Sequence, residues 1–170
     1  MTNELITLIA NLALTLSFIV ALTIGIAQVR AAARDRRERL TLETLRIFQT
    51  REFAELVLHI ASHDMPSNRE EMSALPMKEQ AMLFQFAQEM EGIGILVAER
   101  LINIDLVDKT LGSFVTTAWE RYKPMFTDIR ENQPDPFLGE YFQWLAERIN
   151  VRMLANPRKP FHETNKPSGK

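Results

Sequence analysis

Residues 5–29 read LITLIANLALTLSFIVALTIGIAQV, and no charged side chain occurs between Glu4 and Arg30. A helix rises about 1.5 Å per residue, so this segment can cross a hydrocarbon core about 30 Å thick. In lipid a backbone must satisfy its own hydrogen bonds, which a single segment does only as a helix. We therefore predict one transmembrane helix that anchors the remainder of the chain. A cleaved signal peptide is the alternative, but the apolar run is long for one and no basic residue precedes it.

The segment RAAARDRRER, residues 30–39, follows directly and holds five arginines against Asp35 and Glu38, a net charge of +3. Basic residues beside a span favour the cytoplasmic side of the membrane. We therefore predict that the amino end lies outside and the domain in the cytoplasm. The same side chains suit anionic lipid headgroups, at about 1 kcal/mol each near the surface. They are Arg30, Arg34, Arg36, Arg37 and Arg39.

Small side chains recur every four residues along one side of the predicted span. Small residues let two membrane helices approach closely, and polar ones can form hydrogen bonds between them. The pattern favours a homo-oligomer formed through the span, although such residues are common in membrane helices in general. The face consists of Ala13, Ser17, Ala21 and Gly25, with Thr7, Asn11 and Thr15 as the polar residues.

The chain after the anchor, which takes residues 1–39, divides into a domain, 40–155, and a polar tail, 156–170, that we expect to be disordered. The domain holds 18 acidic and 11 basic residues, a net charge of −7, whereas the tail holds four basic residues against Glu163, a net +3. An acidic surface repels a phosphate backbone, so nucleic acid is not an expected partner. The absence of cysteine excludes a disulfide framework and indicates a reducing compartment.

Apolar residues at helical spacing predict that the domain is a small all-α bundle without strands. Neither proline nor glycine occurs over residues 26–63, so the anchor helix should continue to a break near Gln49 and Thr50. Thr50 is the predicted N-cap of the next helix. Ser67 and Glu70 should form a capping box for a short helix after it.

A central helix is predicted over residues 77–102, ended by Asn103 in the left-handed conformation. Gly92 and Gly94 lie inside it and cost about 1 kcal/mol each relative to alanine. We interpret them as the place where another helix, the one carrying Trp119, comes close.

The remainder of the domain should contain a short helix that ends near Gly112, a helix over 114–129 that Pro124 kinks or breaks, and a last amphipathic helix over 138–153. Large aromatic side chains recur at helical spacing here, which is typical of a core rather than a binding pocket. They are Trp119, Tyr122, Phe142 and Trp144.

Three segments follow the span and its arginine-rich junction: TLETLRIFQTREFAEL at 41–56, LFQFAQEMEGIGILVAERLINIDLV at 83–107 and GSFVTTAWERYKPMF at 112–126. In this order the chain resembles a family of uncharacterised bacterial proteins with one membrane span and a small all-helical cytoplasmic domain. The strongest marker is EGIGILVAERLINIDLV, residues 91–107, in which Asn103 stands where a glycine is expected after a helix. The resemblance implies location and fold, but no reaction and no catalytic residue.

Ligand chemistry is concentrated in Glu55, His59 and His63, which are each four residues apart, with Asp64 adjacent. Two imidazoles at this spacing can share a metal, and a carboxylate one turn away can supply a third ligand. A structural or solvent-facing role is the alternative, since His63 stands at a predicted helix end, where its charge favours the last carbonyls. No second metal motif accompanies the group, and we predict no bound metal.

The sequence contains no phosphate-binding loop, dinucleotide glycine pattern or nucleophile elbow. Together with the resemblance, this predicts a membrane-anchored, non-enzymatic interaction or scaffolding protein of the bacterial inner membrane. It should use no cofactor and bind the lipid bilayer and an unknown protein partner. One alternative is a metal-dependent enzyme that uses His59 and His63. Another is a small subunit of a larger membrane assembly, with the span itself as the interface.

Replacing Ser17 and Ala21 by Ile should abolish self-association of the span without preventing its insertion, because the added bulk lies where two backbones would meet. A membrane-based association assay, read together with an insertion assay, measures both effects. A monomeric native span would contradict the prediction. A truncated chain that starts at Leu40 should be monomeric at micromolar concentration, since two domains of net charge −7 repel each other.

Overall fold

The computed structural model describes residues 2–132, 135–157, 159 and 163, so most of the predicted tail lies outside the described residues. These residues form six α-helices and no strand, which confirms the predicted all-α class. A long apolar helix comes first and a helical bundle follows it. The chain divides into two compact units, Met1–Leu40 and Thr41–Lys170, and the second unit is called the helical domain below.

Helix α1 spans Thr2–Arg46, and its large apolar side chains between Leu5 and Val29 are 44–71 % exposed. Within the described part of the chain it is the one helix long and apolar enough to cross a membrane. It continues beyond the apolar segment, as predicted, and gives way to a 3₁₀ turn over Ile47–Gln49.

The last turns of α1 belong to the helical domain, and two of their side chains are buried there. Thr41 is 0 % exposed, and its Oγ1 accepts a hydrogen bond from the Asn103 N–H at 3.0 Å. Leu45, one turn later, is also buried. This contact ties the start of the domain to a corner between two later helices.

Helix α2 spans Arg51–Ser62, and Thr50 caps it as predicted, because its hydroxyl accepts from the Phe53 N–H at 3.2 Å. Helix α3 spans Arg69–Ala74 and starts one residue later than the predicted capping box. Its cap is Asn68 rather than Ser67, because the Asn68 side-chain oxygen accepts from the Glu71 N–H at 2.8 Å. The Glu71 carboxylate in turn accepts from the Ser67 N–H at 2.7 Å. The side-chain oxygens of Asn and Ser both accept hydrogen bonds at an N-cap. The sequence alone therefore allows the helix to start after either Ser67 or Asn68.

Helix α4 spans Met77–Ala98 and ends earlier than predicted. The left-handed residue that ends it is Arg100, with φ of 58°, and not Asn103. The Leu101 N–H donates to the Leu96 carbonyl at 2.9 Å, which is the hydrogen-bond pattern of a Schellman motif. Asn103 instead caps the next helix, since its side-chain oxygen accepts from the Asp105 N–H at 2.8 Å.

Helix α5 spans Ile104–Asn132 without interruption, so the predicted end near Gly112 is wrong. Pro124, which was predicted to kink or break the helix, does not break it. Pro124 removes one backbone hydrogen bond at a cost of about 3 kcal/mol. The residues that follow it, Met125 and Phe126, are 1 % and 2 % exposed. Burial of these two side chains requires the helix to continue, and it offsets the local cost.

Helix α6 spans Glu140–Ala155, close to its predicted range. Gly139 precedes it with φ of 69°, and a Cβ at this position would lie 2.2 Å from the Phe126 ring. A glycine has no side chain with which to cap the helix. The cap comes from α4, where the two Glu91 carboxylate oxygens accept from the N–H groups of Tyr141 and Phe142 at 3.2 and 2.8 Å.

Gly94 marks the close helix approach that the sequence predicted, but the neighbour is α6 and not the helix that carries Trp119. A Cβ on Gly94 would lie 2.3 Å from the Tyr141 carbonyl oxygen. Gly92 does not take part, since a Cβ there would meet nothing within 4 Å. The two glycines therefore differ although they stand two positions apart.

Aromatic rings fill the centre of the domain around Tyr122, Phe86 and Phe142, which are each 0 % exposed. Phe86 stacks on Tyr122 with ring centroids 5.5 Å apart and meets Phe142 edge-on at 6.1 Å. The Tyr122 hydroxyl donates to the Leu83 carbonyl at 3.0 Å, and burial raises the pKa of Tyr122, which keeps this donor protonated. The prediction of a core position is confirmed for Trp119 but wrong for Trp144, which is 38 % exposed.

Gly94→Ala should lower the free energy of unfolding by about 1–3 kcal/mol, because the new methyl group forces α4 and α6 apart. Gly92→Ala is the matched control and should raise it by up to about 1 kcal/mol, since alanine favours a helix and the space is open. Chemical unfolding of the full chain in detergent micelles measures both. Equal effects of the two changes would contradict a limiting contact at Gly94.

Candidate functional site

The candidate metal ligands lie on α2, and the structure brings two of the three together. The rings of His59 and His63 stack with centroids 4.2 Å apart, as the spacing of four residues predicts. Glu55 faces another partner, since its Oε1 accepts from Arg51 Nε at 2.7 Å. His63 Nδ1 lies 3.0 Å from the His59 carbonyl oxygen, so this ring nitrogen has a hydrogen-bond partner within the helix.

The backbone around this pair is fixed from α5. His63 is the C-cap of α2, and its carbonyl accepts from Arg121 Nη2 at 2.6 Å. Among the described residues, no group of three or more His, Cys, Asp or Glu side chains is placed to hold a metal ion, and Asp64 adds no ligand to the pair. The arrangement therefore consists of two stacked imidazoles at an exposed helix end.

The small-residue face and the arginines both lie on α1. Ala13, Ser17 and Ala21 are exposed, and a Cβ on Gly25 would meet nothing within 4 Å. Of the polar residues on the span, Thr7 and Thr15 donate their hydroxyls to backbone carbonyls one turn earlier, at 2.9 and 2.8 Å.

The arginine segment, residues 30–39, is helical and exposed throughout. Arg34 Nε and Glu38 Oε1 form an ion pair at 2.9 Å along the helix surface. Exposed pairs of this kind contribute only a few tenths of a kcal/mol, so the segment presents charge to its surroundings rather than stabilising the helix.

A charged cluster joins the end of α6 to the start of α5. Arg152 pairs with Asp105, and its Nε lies 3.9 Å from Asp108 Oδ2. Asp108 is only 7 % exposed. Because this buried carboxylate faces an arginine from a neighbouring helix, we assign the cluster to helix packing.

Glu89, in the middle of α4, is a half-buried acid of another kind. Its Oε1 accepts from the Gln85 side chain at 3.2 Å, whereas its Oε2 is shielded from water without a hydrogen-bond partner among the described residues. Burial raises the pKa of Glu89 above its ordinary value, and the bond from Gln85 opposes this. A raised carboxylate pKa means that ionisation opposes folding, so this group destabilises the domain as the pH rises above the unfolded-state pKa.

A surface groove of about 390 Å³ opens where α3, the first half of α4 and the end of α5 meet the segment before α6. We call it the Phe84 groove. Four of its lining side chains are apolar and four are polar or charged. It is lined by Arg69, Met72, Ser73, Gln80, Phe84, Ile129, Asp135 and Leu138.

Hydrogen bonds fix the walls of the Phe84 groove. The Gln80 amide donates to the Leu75 carbonyl at 2.8 Å, which sets the corner between α3 and α4. Asp128 Oδ2 on α5 accepts from the Arg69 N–H at 3.0 Å. Arg130 Nε donates to the Leu138 carbonyl at 2.8 Å. The groove is therefore formed before any ligand arrives.

Three large apolar side chains are exposed in or beside this groove. Met77 is 85 % exposed, Phe84 43 % and Phe137 67 %. Met77 and Phe84 lie seven residues apart, on the same face of α4 as Gln80. Neither Met77 nor Phe84 was predicted as a surface residue with a function. Their positions in the sequence were a signal for this, since both lie off the apolar seam that α4 buries.

Comparison with known proteins gives one match. Residues 13–149 match the family described as "Domain of unknown function (DUF4760)". The chain belongs to this family. No curated protein and no solved structure matches the chain. The expected membership in a family of undefined function is therefore confirmed, whereas the bacterial source and the membrane location stay predictions.

In this DUF4760 chain the marker segment, residues 91–107, has a structural explanation. Glu91 caps α6, and Gly94 admits its backbone. Arg100 turns the chain at the end of α4, and Asn103 starts α5 while its N–H bonds to Thr41. The segment thus determines how three helices join.

The stacked histidines allow a direct test of the metal alternative. The purified chain should hold no stoichiometric transition metal, and a chelator should leave its melting temperature unchanged. His59→Ala with His63→Ala should show the same insensitivity to the chelator. Elemental analysis that finds about one tightly held ion per native chain, absent from the double variant, would make the metal-dependent enzyme the leading hypothesis.

Proposed function

We propose that this DUF4760 chain is a membrane-anchored, non-enzymatic interaction or scaffolding protein of a bacterial inner membrane. The observation that carries the proposal is the exposure of α1. Its large apolar side chains from Leu5 to Val29 are 44–71 % exposed, on every side of the helix. At about 25 cal/mol per Å² of apolar surface, water is a poor environment for such a helix and lipid is a good one.

The charge on either side of this segment supports an outside amino end and a cytoplasmic domain. Glu4 stands before the apolar run, and the arginines of residues 30–39 stand after it. Exposed arginines at this place suit anionic headgroups, which adds an electrostatic attraction to the anchor.

The helical domain supports an interaction role through its surface. Its charged side chains at the helix junctions serve packing: Glu91 caps α6, and Arg130 Nη1 donates to Gln143 at 2.6 Å. Apolar side chains exposed near the Phe84 groove add a surface with no such structural duty. Contiguous exposed apolar surface on a folded domain is typical of a protein interaction site.

A reporter fused after Lys170 tests the anchor and its orientation. A fluorescent protein that folds only in the cytoplasm should be active at the membrane, and a phosphatase that is active only in the periplasm should be silent. The control replaces the five arginines of residues 30–39 by glutamine, which should produce mixed orientation. Phosphatase activity from the native chain would contradict the proposed orientation. Recovery of the fusion protein in the soluble fraction would contradict the membrane anchor.

A further inference from the structure

The net negative charge of the helical domain is concentrated at one end. Helix α4 has 22 residues and is about 33 Å long, so its first residue, Met77, is far from the corner where Thr41 contacts Asn103. Helix α5 starts at that corner and returns, so its last turns lie at the Met77 end. The bond between Arg69 and Asp128 places α3 there as well. We call this part, residues 67–88, 127–132 and 135–140, the far end.

The far end is acidic. It holds seven acidic and three basic residues, a net charge of −4 out of the −7 of residues 40–155. One of its basic side chains, Arg130, is directed inward, where it bonds to the Leu138 carbonyl and lies 5.8 Å from the Trp119 ring centre. The groove therefore opens on a surface whose excess charge is negative.

A ligand that fills the Phe84 groove must also present apolar side chains to it. Its volume of about 390 Å³ lies within the range of pockets that bind ligand groups. Phe84 forms part of its wall and is 43 % exposed, and Met77 extends the same helix face. An occupant thus needs apolar side chains on one side and positive charge around them.

We propose that the Phe84 groove binds a basic amphipathic segment of a partner protein. The inference rests on the proposed function, and it names the chemistry of the partner. The same surface of a second copy of this chain fits poorly, because two surfaces of net charge −4 repel each other. An anionic lipid surface fits poorly for the same reason. A basic segment is attracted by the negative charge of the far end and fills the groove with its apolar face.

The first test uses a fluorescent 16-residue helical peptide of leucine and lysine as the probe. The full chain is reconstituted in discs of neutral phosphatidylcholine, so that the lipid does not attract the peptide. Anisotropy should show binding that weakens as salt rises, and a peptide of leucine and glutamate should not bind. Equal binding of the two peptides overturns the proposal.

Variants locate the binding site. Phe84→Asp should weaken binding of the leucine–lysine peptide at least about tenfold, and Glu70→Lys with Glu131→Lys should do the same and reduce the salt dependence. Leu154→Asp is the matched control, because Leu154 is 72 % exposed on the last turn of α6, outside the far end, and its change should have no effect. Met77→Asp repeats the test at a side chain that is 85 % exposed, in case Phe84→Asp does not fold. Equal losses at positions 84 and 154, or no loss at 84 and 77, overturn the proposal.

Photo-crosslinking in intact cells separates this inference from the proposed function. A photoreactive residue at position 84 should capture a basic segment of another protein, identified by its crosslinked peptide, and Glu70→Lys with Glu131→Lys should abolish the capture. Photoreactive residues at position 154 and at Leu58, which is 67 % exposed on α2, are the controls. Crosslinks that arise only from these two positions would keep the interaction role and overturn the groove. Capture of a second copy, or of residues 156–170 of the same chain, would also overturn it. No crosslink from any of the three positions would contradict both proposals.

Discussion

Gly94 and the Tyr141 carbonyl approach each other so closely that no side chain fits between α4 and α6. Three further features support the same junction: Glu91 supplies the cap, Gly139 turns the chain, and the Phe126 ring occupies the space where a Cβ of Gly139 would lie. Gly94 and Gly139 avoid steric clashes, and Glu91 satisfies two backbone N–H groups at the start of α6. Because α6 carries Phe142 into the centre of the domain, the aromatic core depends on this junction.

The aromatic core in turn explains the length of α5. Trp119 and Tyr122 of this helix contact Phe86 or Phe142 from the helices on either side, and Phe126 contacts both Trp119 and Tyr122. A break at Pro124 would separate Phe126 from the other two, and the loss of burial would exceed the lost hydrogen bond. Long, uninterrupted α4 and α5 then carry the groove walls away from the corner at Thr41.

The polar groups divide into those that hold the fold and those left for contact with other molecules. Glu91, Asp128 and Arg130 bond to backbone groups of other helices and set the helix junctions. Glu70, Glu131, Asp135 and Glu140 of the far end are exposed instead, in the same part of the domain as exposed apolar residues. An anchored domain with this surface is suited to recruiting a partner by charge and retaining it by apolar contact.

The sequence by itself determined the helical class, the apolar first helix, its end before Thr50 and the range of α6, because these follow from local spacing, capping and charge. It also indicated that a helix comes close at Gly94, since glycine in a helix is costly without such a reason. Only the tertiary structure decided that the neighbour is α6, that Arg100 and not Asn103 turns the chain, and that α5 passes Gly112 and Pro124 intact. It likewise decided that Glu55 bonds to Arg51 rather than completing a ligand set, and that Phe84 lines a groove. Most of these outcomes depend on burial between residues far apart in the chain, which outweighs local preference and cannot be read from the spacing within one helix. The pair of Glu55 and Arg51 is the exception, because it is an exposed contact one turn apart that competes with the ligand set.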